Sequence, residues 1–494
     1  MRTICKILLP VLLIGSQSLT VSAQQNYWHS RTDTSGIITD KAVARQTFPK
    51  VFKLFNLDIN TLRQELFSVI DNQAVHSTVI SLPNADGNLE QFEVFEASNF
   101  EPALQARFPQ IRAFSGQGIT DKASMLKLSI SPQGIQTMIF RTDKVNEFIE
   151  AYSQDHSVYA VFKSQREPGK IAWTCSTVEN NMFSNLSTDI FNNYQVESDT
   201  GQLKTMRLAQ SCNGEYSNYF GATSSAQVAL VLAAFNATLT RCNGVYEKDL
   251  AVHLNLVAAS TNVIYYNPST DPYDAAATGA GGTWNAQLQS TLTSVIGEAN
   301  YDIGHLFGAS GGGGNAGCFG CICTNGSKGS GFTSPADGIP QGDNFDIDYV
   351  VHEVGHQMGG NHTFSYANEG TGVNKEIGSG ITIMGYAGIT AQDVAPHSID
   401  IYHEATIAQI QANLATKTCP VTTSVSANNA TPVVAAVSNY TIPKSTPFAL
   451  TGSATDANAG DALTYCWEQN DNASSALASV AEPVNANGVL FGLV

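Results

Sequence analysis

The run His352-Glu353-Val354-Gly355-His356-Gln357-Met358-Gly359-Gly360-Asn361-His362 constrains this chain more than any other part of it. Residues four apart on a helix stand one above the other, so His352 and His356 offer imidazole nitrogens to one metal ion from the same face. Glu353 flanks that face without having to ligate, and is placed to take a proton from an attacking water. A third ligand cannot follow in line, because a further helical turn would carry its side chain past the ion. Gly359 lets the backbone turn, and His362 comes round to the open side. Three imidazoles leave one position free, the arrangement of a catalytic rather than a structural zinc site.

Downstream stands Thr382-Ile383-Met384-Gly385-Tyr386, its methionine twenty-two residues past His362. The pairing of HExxHxxGxxH with a later methionine turn resembles the metzincin metallopeptidases. That resemblance implies one catalytic zinc on His352, His356 and His362, Glu353 as general base, and Met384 as an apolar floor beneath the histidines. In astacin-like and serralysin-like members a tyrosine two residues past the methionine reaches the zinc or the oxyanion, and Tyr386 holds that place. Animal reprolysins lack it, so two roles stay open for Tyr386: transition-state stabilisation and structural packing.

The chain has 494 residues, enough for two to four domains. Residues 1–23 read as a secretory signal peptide, with Arg2 and Lys6, an apolar run Ile7 to Ile14, and Val21-Ser22-Ala23 as a cleavage site. No later run is expected to span a bilayer, and a net charge of −17 argues against nucleic acid and anionic membranes as partners. Oligomeric state has no signature. Of nine cysteines, Cys212, Cys242, Cys318, Cys321, Cys323 and Cys419 fall in one region as an even set, so three bridges are expected, their pairing open among fifteen possibilities.

Residues 24–203 carry alternating strand patterns, such as Phe92 with Val94 and Leu126 with Leu128, and no catalytic constellation. A β-rich propeptide is the simplest reading, with Glu197 to Gly201 as a place for processing. Its phrases Leu82-Pro83-Asn84-Ala85-Asp86-Gly87 and Phe108-Pro109-Gln110-Ile111 resemble the pro-regions of secreted bacterial reprolysin-like enzymes. Cys175 stands alone within it. Its thiolate is a soft zinc ligand that would exclude water from the fourth position, while an unpaired cysteine with no inhibitory role is the competing reading.

From 204 to 424 helix and strand alternate. Strands are expected near Met206 to Ala209, Leu250 to Leu256 and Tyr301 to Phe307. Helices are expected at Ser225 to Asn243, Trp284 to Ile296, Asp346 to Met358 and His403 to Leu414. This is an α/β domain of mixed sheet plus active-site helix, the α+β zincin or metzincin class. The phrases Cys212-Asn213-Gly214-Glu215-Tyr216, Arg241-Cys242-Asn243-Gly244-Val245-Tyr246-Glu247, Phe345-Asp346-Ile347-Asp348-Tyr349 and Gly378 to Gly388 resemble reprolysin-like zinc metalloproteases secreted by Bacteroidota. The likeness implies a secreted, latent zinc endopeptidase acting on proteins or peptides, with Gly314-Asn315-Ala316-Gly317 as the upper rim where an extended substrate adds as a strand.

Gly308-Ala309-Ser310-Gly311-Gly312 matches the GxSxG nucleophile elbow, but an elbow needs a helix immediately after the serine, and glycines follow instead. His305, His397 and His403 read as structural or helix-end residues. Residues 425–432 read as a linker, and 433–494 resemble an incomplete Ig-like or cadherin-like β-module. In it Asp456, Asn458 and Asp461 offer oxygens of the kind calcium takes, and equally make a polar turn. The alternative to an enzyme is a degenerate metzincin scaffold that binds a surface or glycan.

Overall fold

The computed structural model describes residues 26–71, 74–164, 172–180, 201–367, 369–425, 429–436, 438, 440–443, 446–458, 460–468, 470 and 472–473. The signal-peptide expectation, most of the processing stretch and the end of the C-terminal module lie outside the described residues.

Nine strands between Trp28 and Lys163 form one sheet in which every neighbouring pair is antiparallel. Trp28–Arg31 lies at one edge and Thr78–Pro83 at the other. Side chains alternate across a strand, so each strand feeds two layers. Leu126, Leu128, Ile139, Ile149 and Val161 pack on one face with Leu62 and Leu66 of the helix Ile59–Asp71. Met138, Phe140, Phe148, Ala160 and Phe162 pack on the other, against Val231, Phe235, Leu239 and Val245 of the helix Val228–Leu250. Burying each large apolar side chain contributes roughly 1.5–3 kcal/mol, so the N-terminal sheet and the second half of the chain are held by a common core.

The same contact buries charge. Arg45 and Arg241 both bond Glu150, at 2.7 and 2.9 Å, and Arg241 also reaches Asp346 at 2.9 Å. Removing one partner of such a buried pair costs about 3–5 kcal/mol, because the other is left uncompensated.

The second sheet has Gln202–Cys212 at its centre, parallel to Val252–Leu256 on one side and Ile303–Phe307 on the other, and antiparallel to Val421–Ser424. Beyond Ile303–Phe307 come Gly331–Ser334, parallel, and then Gly313–Asn315, antiparallel. Thr174–Cys175 from the N-terminal part pairs with Gly313–Gly314, parallel. Trp284–Val295 covers one side of this sheet, with Trp284, Leu288 and Leu292 against Leu306 and Phe332. The helix ending at Met358 lies on the other side. This is the mixed α/β arrangement expected, with a β-rich part before it.

The sequence-based bounds move in places. The helix expected to end near Asn243 runs to Leu250, because Asn243 is satisfied internally by Asn99 Oδ1 and the Leu254 carbonyl, at 2.9 and 3.0 Å. Gly244 lies inside it, and a Cβ there would stand 2.8 Å from Phe140, which accounts for glycine at that place. By length and composition alone Ser225–Leu250 could cross a bilayer, its most apolar window having a mean hydropathy of 1.3, but 78% of that window is buried inside the protein as a core helix.

Three bridges are not formed. Cys318 pairs with Cys321 and Cys323 with Cys419, whereas Cys212 and Cys242 are free thiols. The even count misled because both free cysteines are core residues with separate partners: Cys212 Sγ contacts Ser217 Oγ at 3.3 Å, and Cys242 donates to the Asp346 carbonyl at 3.4 Å. After Phe307 the chain enters bends and then the strand Gly313–Asn315, so no nucleophile elbow forms at Ser310. In the C-terminal part, Val433–Val434 pairs with Ala454–Thr455. Asp456 and Asn458 make a polar turn, with Asp456 Oδ1 accepting from the Asn458 backbone at 2.7 Å.

Candidate metal centre

The helix carrying the first two histidines starts with i→i+5 winding over Asn344–Val351 and becomes regular over His352–Met358. Gly359 ends it at φ 109°, a left-handed conformation that only glycine adopts without strain. His362 then returns toward the helix. The Nε2 atoms of His352 and His356 are 3.2 Å apart, those of His356 and His362 3.1 Å, and those of His362 and His352 3.3 Å. Ligands about 2.0–2.1 Å from a tetrahedral zinc stand roughly 3.3–3.4 Å from one another, so the three nitrogens fit one such ion.

Each ring is oriented through its other nitrogen. His352 Nδ1 meets the Ile383 carbonyl at 2.7 Å and His356 Nδ1 the Gly360 carbonyl at 2.7 Å. His362 Nδ1 lies 3.0 Å from Glu369 Oε2 and 2.9 Å from Glu179 Oε1. Acceptors at every Nδ1 favour the tautomer protonated there, which leaves the three Nε2 lone pairs to ligate.

Met384 is fully buried against this helix: a Cβ on Gly355 would stand 2.8 Å from its Sδ, which accounts for glycine at 355. The methionine turn is tied to the third histidine by Glu376. Its carboxylate accepts from the Thr363 hydroxyl, from the Thr382 hydroxyl at 2.6 Å, and from the backbone N–H groups of Ile381 and Thr382 at 2.9 and 3.0 Å. Thr363 follows His362, and Ile383 holds His352, so one carboxylate fixes the spacing of two of the three rings.

His305 is structural, bonding Gln357 Oε1 at 2.8 Å and Thr333 Oγ1 at 2.9 Å. His397 Nδ1 contacts the Ser398 carbonyl, and His403 caps the helix Glu404–Ala415. All three match the structural roles expected.

Residues 173–180 lie across the centre with alternate side chains buried or half-buried and the intervening ones exposed. The inward set is Trp173, Cys175, Thr177 and Glu179. Cys175 Sγ stands 3.5 Å from His356 Nε2, and its thiol forms one tetrad with the three histidines. Thr177 donates to Glu353 Oε2 at 3.0 Å. Glu179 reaches His362, and also accepts from the Asn361 amide. Trp173 stacks on Tyr349, with ring centroids 4.3 Å apart.

Burial raises the Glu353 carboxyl to about 8 and the Cys175 thiol to about 11. Glu353 can come this close to the edge strand because residue 314 is glycine: a Cβ there would be 2.3 Å from its Oε1. Tyr386 is half-buried, its ring 4.7 Å from those of His362 and Phe364. Burial first, then the neighbouring Cys175 and Glu353, pushes its phenol pKa well up.

The structure therefore brings His352, Glu353, His356, His362, Met384, Tyr386 and Cys175 to one place. Sequence reasoning missed Thr177, Glu179, Glu369, Glu376 and the Trp173–Tyr349 stack. For Trp173, Thr177 and Glu179 a signal existed, since residues two and four positions from Cys175 share its face if the segment is extended. For Glu369 and Glu376 there was none, because they lie on irregular chain without a period.

A helix bearing two histidines one turn apart, a third histidine after a glycine turn and a buried methionine turn define a potential metal site of the metzincin class. Residues 202–414 match the model of metallo-peptidase family M12B, reprolysin-like, and this segment is a reprolysin-like metzincin domain. The family is typically zinc-dependent and acts on peptide bonds. None of the curated proteins matches the chain.

Proposed function

We propose that the chain is the latent precursor of a secreted zinc endopeptidase, with residues 204–424 as the catalytic domain and 24–203 as the propeptide. The observation that carries this reading is the convergence of three Nε2 atoms, 3.1–3.3 Å apart, beside the buried carboxylate of Glu353. His352, His356 and His362 would hold the ion, which when bound supplies Lewis acidity toward water and the scissile carbonyl. Glu353 takes the proton of the attacking water and returns it to the leaving amine. The edge strand Gly313–Asn315 receives an extended peptide through its main-chain groups. Tyr386, beside His362, hydrogen-bonds through its phenol O–H to the oxyanion that develops as the carbonyl is attacked.

Latency rests on the inward set of residues 173–179. The Cys175 thiol fills the fourth direction of the tetrad, Thr177 occupies the base, and Glu179 bonds the far side of His362. Two disulfides are compatible with an extracellular location. The test is casein cleavage by the processed chain against its Glu353→Ala form, each with its zinc content measured. Turnover lost with zinc retained supports the reading, and equal turnover in the two forms overturns it.

A further inference from the structure

Two of the three rings at the centre lean on main-chain carbonyls, and the third leans on carboxylates. His352 and His356 direct Nδ1 at Ile383 and Gly360, each at 2.7 Å. His362 Nδ1 meets Glu179 Oε1 at 2.9 Å and Glu369 Oε2 at 3.0 Å. An imidazole that ligates through Nε2 carries a single hydrogen at Nδ1, so it serves one of these two acceptors well and not both. Glu179 belongs to the segment read as propeptide, and Glu369 to the domain that remains after processing.

Their supports differ as well. Glu179 also accepts from the Asn361 side-chain amide. That amide is itself fixed: Asn361 Oδ1 accepts from Gln409 Nε2 at 3.0 Å, and the Asn361 backbone N–H donates to Gln409 Oε1 at 2.9 Å. Asn361 and Gln409 are both buried, so Glu179 is gripped by donors that do not move. Glu369 stands on irregular chain seven residues past the ring, with 30% of its side chain exposed. In the precursor the buried carboxylate with the second donor therefore holds the hydrogen, and the exposed one stands beside it.

We infer that Glu369 is a positioning residue of the mature centre: when residues 173–180 leave, His362 passes from Glu179 to Glu369, and its ring keeps an anionic acceptor throughout. The inference rests on the metal site proposed above. A carboxylate behind an imidazole fixes the ring and raises its basicity as a ligand, an effect on metal affinity of about 10- to 100-fold. The exchange thus supports the third ligand at the step in which the Cys175 thiol is withdrawn from the tetrad.

The test measures zinc affinity by chelator competition in the precursor and in the processed chain, each unsubstituted and as Glu369→Gln. The processed Glu369→Gln chain is expected to bind zinc about 10- to 100-fold more weakly than the unsubstituted one, while the two precursors agree within about twofold. In a precursor that already carries Glu179→Gln, adding Glu369→Gln is expected to weaken zinc binding, because the second carboxylate is then the one in use. Glu369→Asp keeps the charge and is expected to recover most of the affinity of the processed chain. With cobalt(II) in place of zinc, Glu369→Gln is expected to shift the visible bands of the processed chain, which a role in loop packing alone does not do. A processed Glu369→Gln chain with unchanged zinc affinity overturns this inference alone, as does an equal fall in precursor and processed chain. An unsubstituted processed chain that binds no stoichiometric zinc overturns the metal site beneath it as well.

Discussion

The hydroxyl of Thr177 donates to Glu353 Oε2 at 3.0 Å while its oxygen accepts the Ala316 backbone N–H at 2.8 Å. One side chain thus ties the carboxylate read as the general base to the strand read as the substrate's rim. Thr177→Val retains the volume and removes both bonds. Burial keeps that carboxyl neutral near pH 7, and a hydrogen bond between neutral groups contributes about 0.5–1.5 kcal/mol, so the unprocessed chain should gain roughly two- to tenfold in basal cleavage of a quenched peptide. Basal cleavage equal to that of the unsubstituted precursor would mean that Thr177 takes no part in latency.

Glu376 lies outside the ligand set, but its carboxylate joins Thr363 to the Ile381–Thr382 backbone. Glu376→Gln puts an amide N–H against at least one donor and loosens the spacing between His362 and the carbonyl that orients His352. Partners at this remove from a metal typically tune affinity by about 10- to 100-fold. Zinc affinity, measured by competition with a chelator, should fall within that range, and an unaltered affinity would deny Glu376 a positioning role.

The centre itself was legible because its spacing is short-range chemistry: i and i+4 on a helix, a glycine where φ must be positive, a methionine turn soon after. Gly359 at φ 109° is that expectation met in the backbone. What was not legible lies at long range. Glu179 and His362 are 183 positions apart, and no local pattern announces that they meet at 2.9 Å. The disulfide expectation failed for a related reason, since a count of cysteines does not distinguish the core thiols of Cys212 and Cys242 from the cysteines that pair in loops. The helix expected over Ser225 to Asn243 runs on to Leu250, and the long-range partner Asn99 that Asn243 meets inside it leaves no local pattern.

His305 gives the stability a pH dependence. Burial, against the bond from Gln357, pulls its pKa from 6.5 down to about 4. In the unfolded chain the imidazole takes its proton near 6.5, so between 6.5 and 4 the unfolded state holds more protons. Stability is then whole above 6.5 and falls as the pH drops toward 4, by up to about 3 kcal/mol. Chemical denaturation at stepped pH should show that loss, and His305→Gln should flatten it. An equally steep fall in the His305→Gln chain would assign the dependence to other groups.

Disulfide mapping of the native chain should recover the Cys318–Cys321 and Cys323–Cys419 peptides, with Cys212 and Cys242 alkylated only after denaturation. Cys419→Ser opens a loop of sequence separation 96 and should cost about 2–4 kcal/mol in unfolding free energy. A bridge between Cys212 and Cys242 would contradict the packing described for both.

The account rests on one ion held by His352, His356 and His362 next to Glu353. The most direct measurement is the zinc content of the purified chain and of its Glu353→Gln form, taken together with peptide hydrolysis after processing. One zinc per chain in both, with hydrolysis only in the unsubstituted form and abolished by a chelator, is the expected result. A chain without stoichiometric metal, or one whose hydrolysis survives chelation, would contradict it.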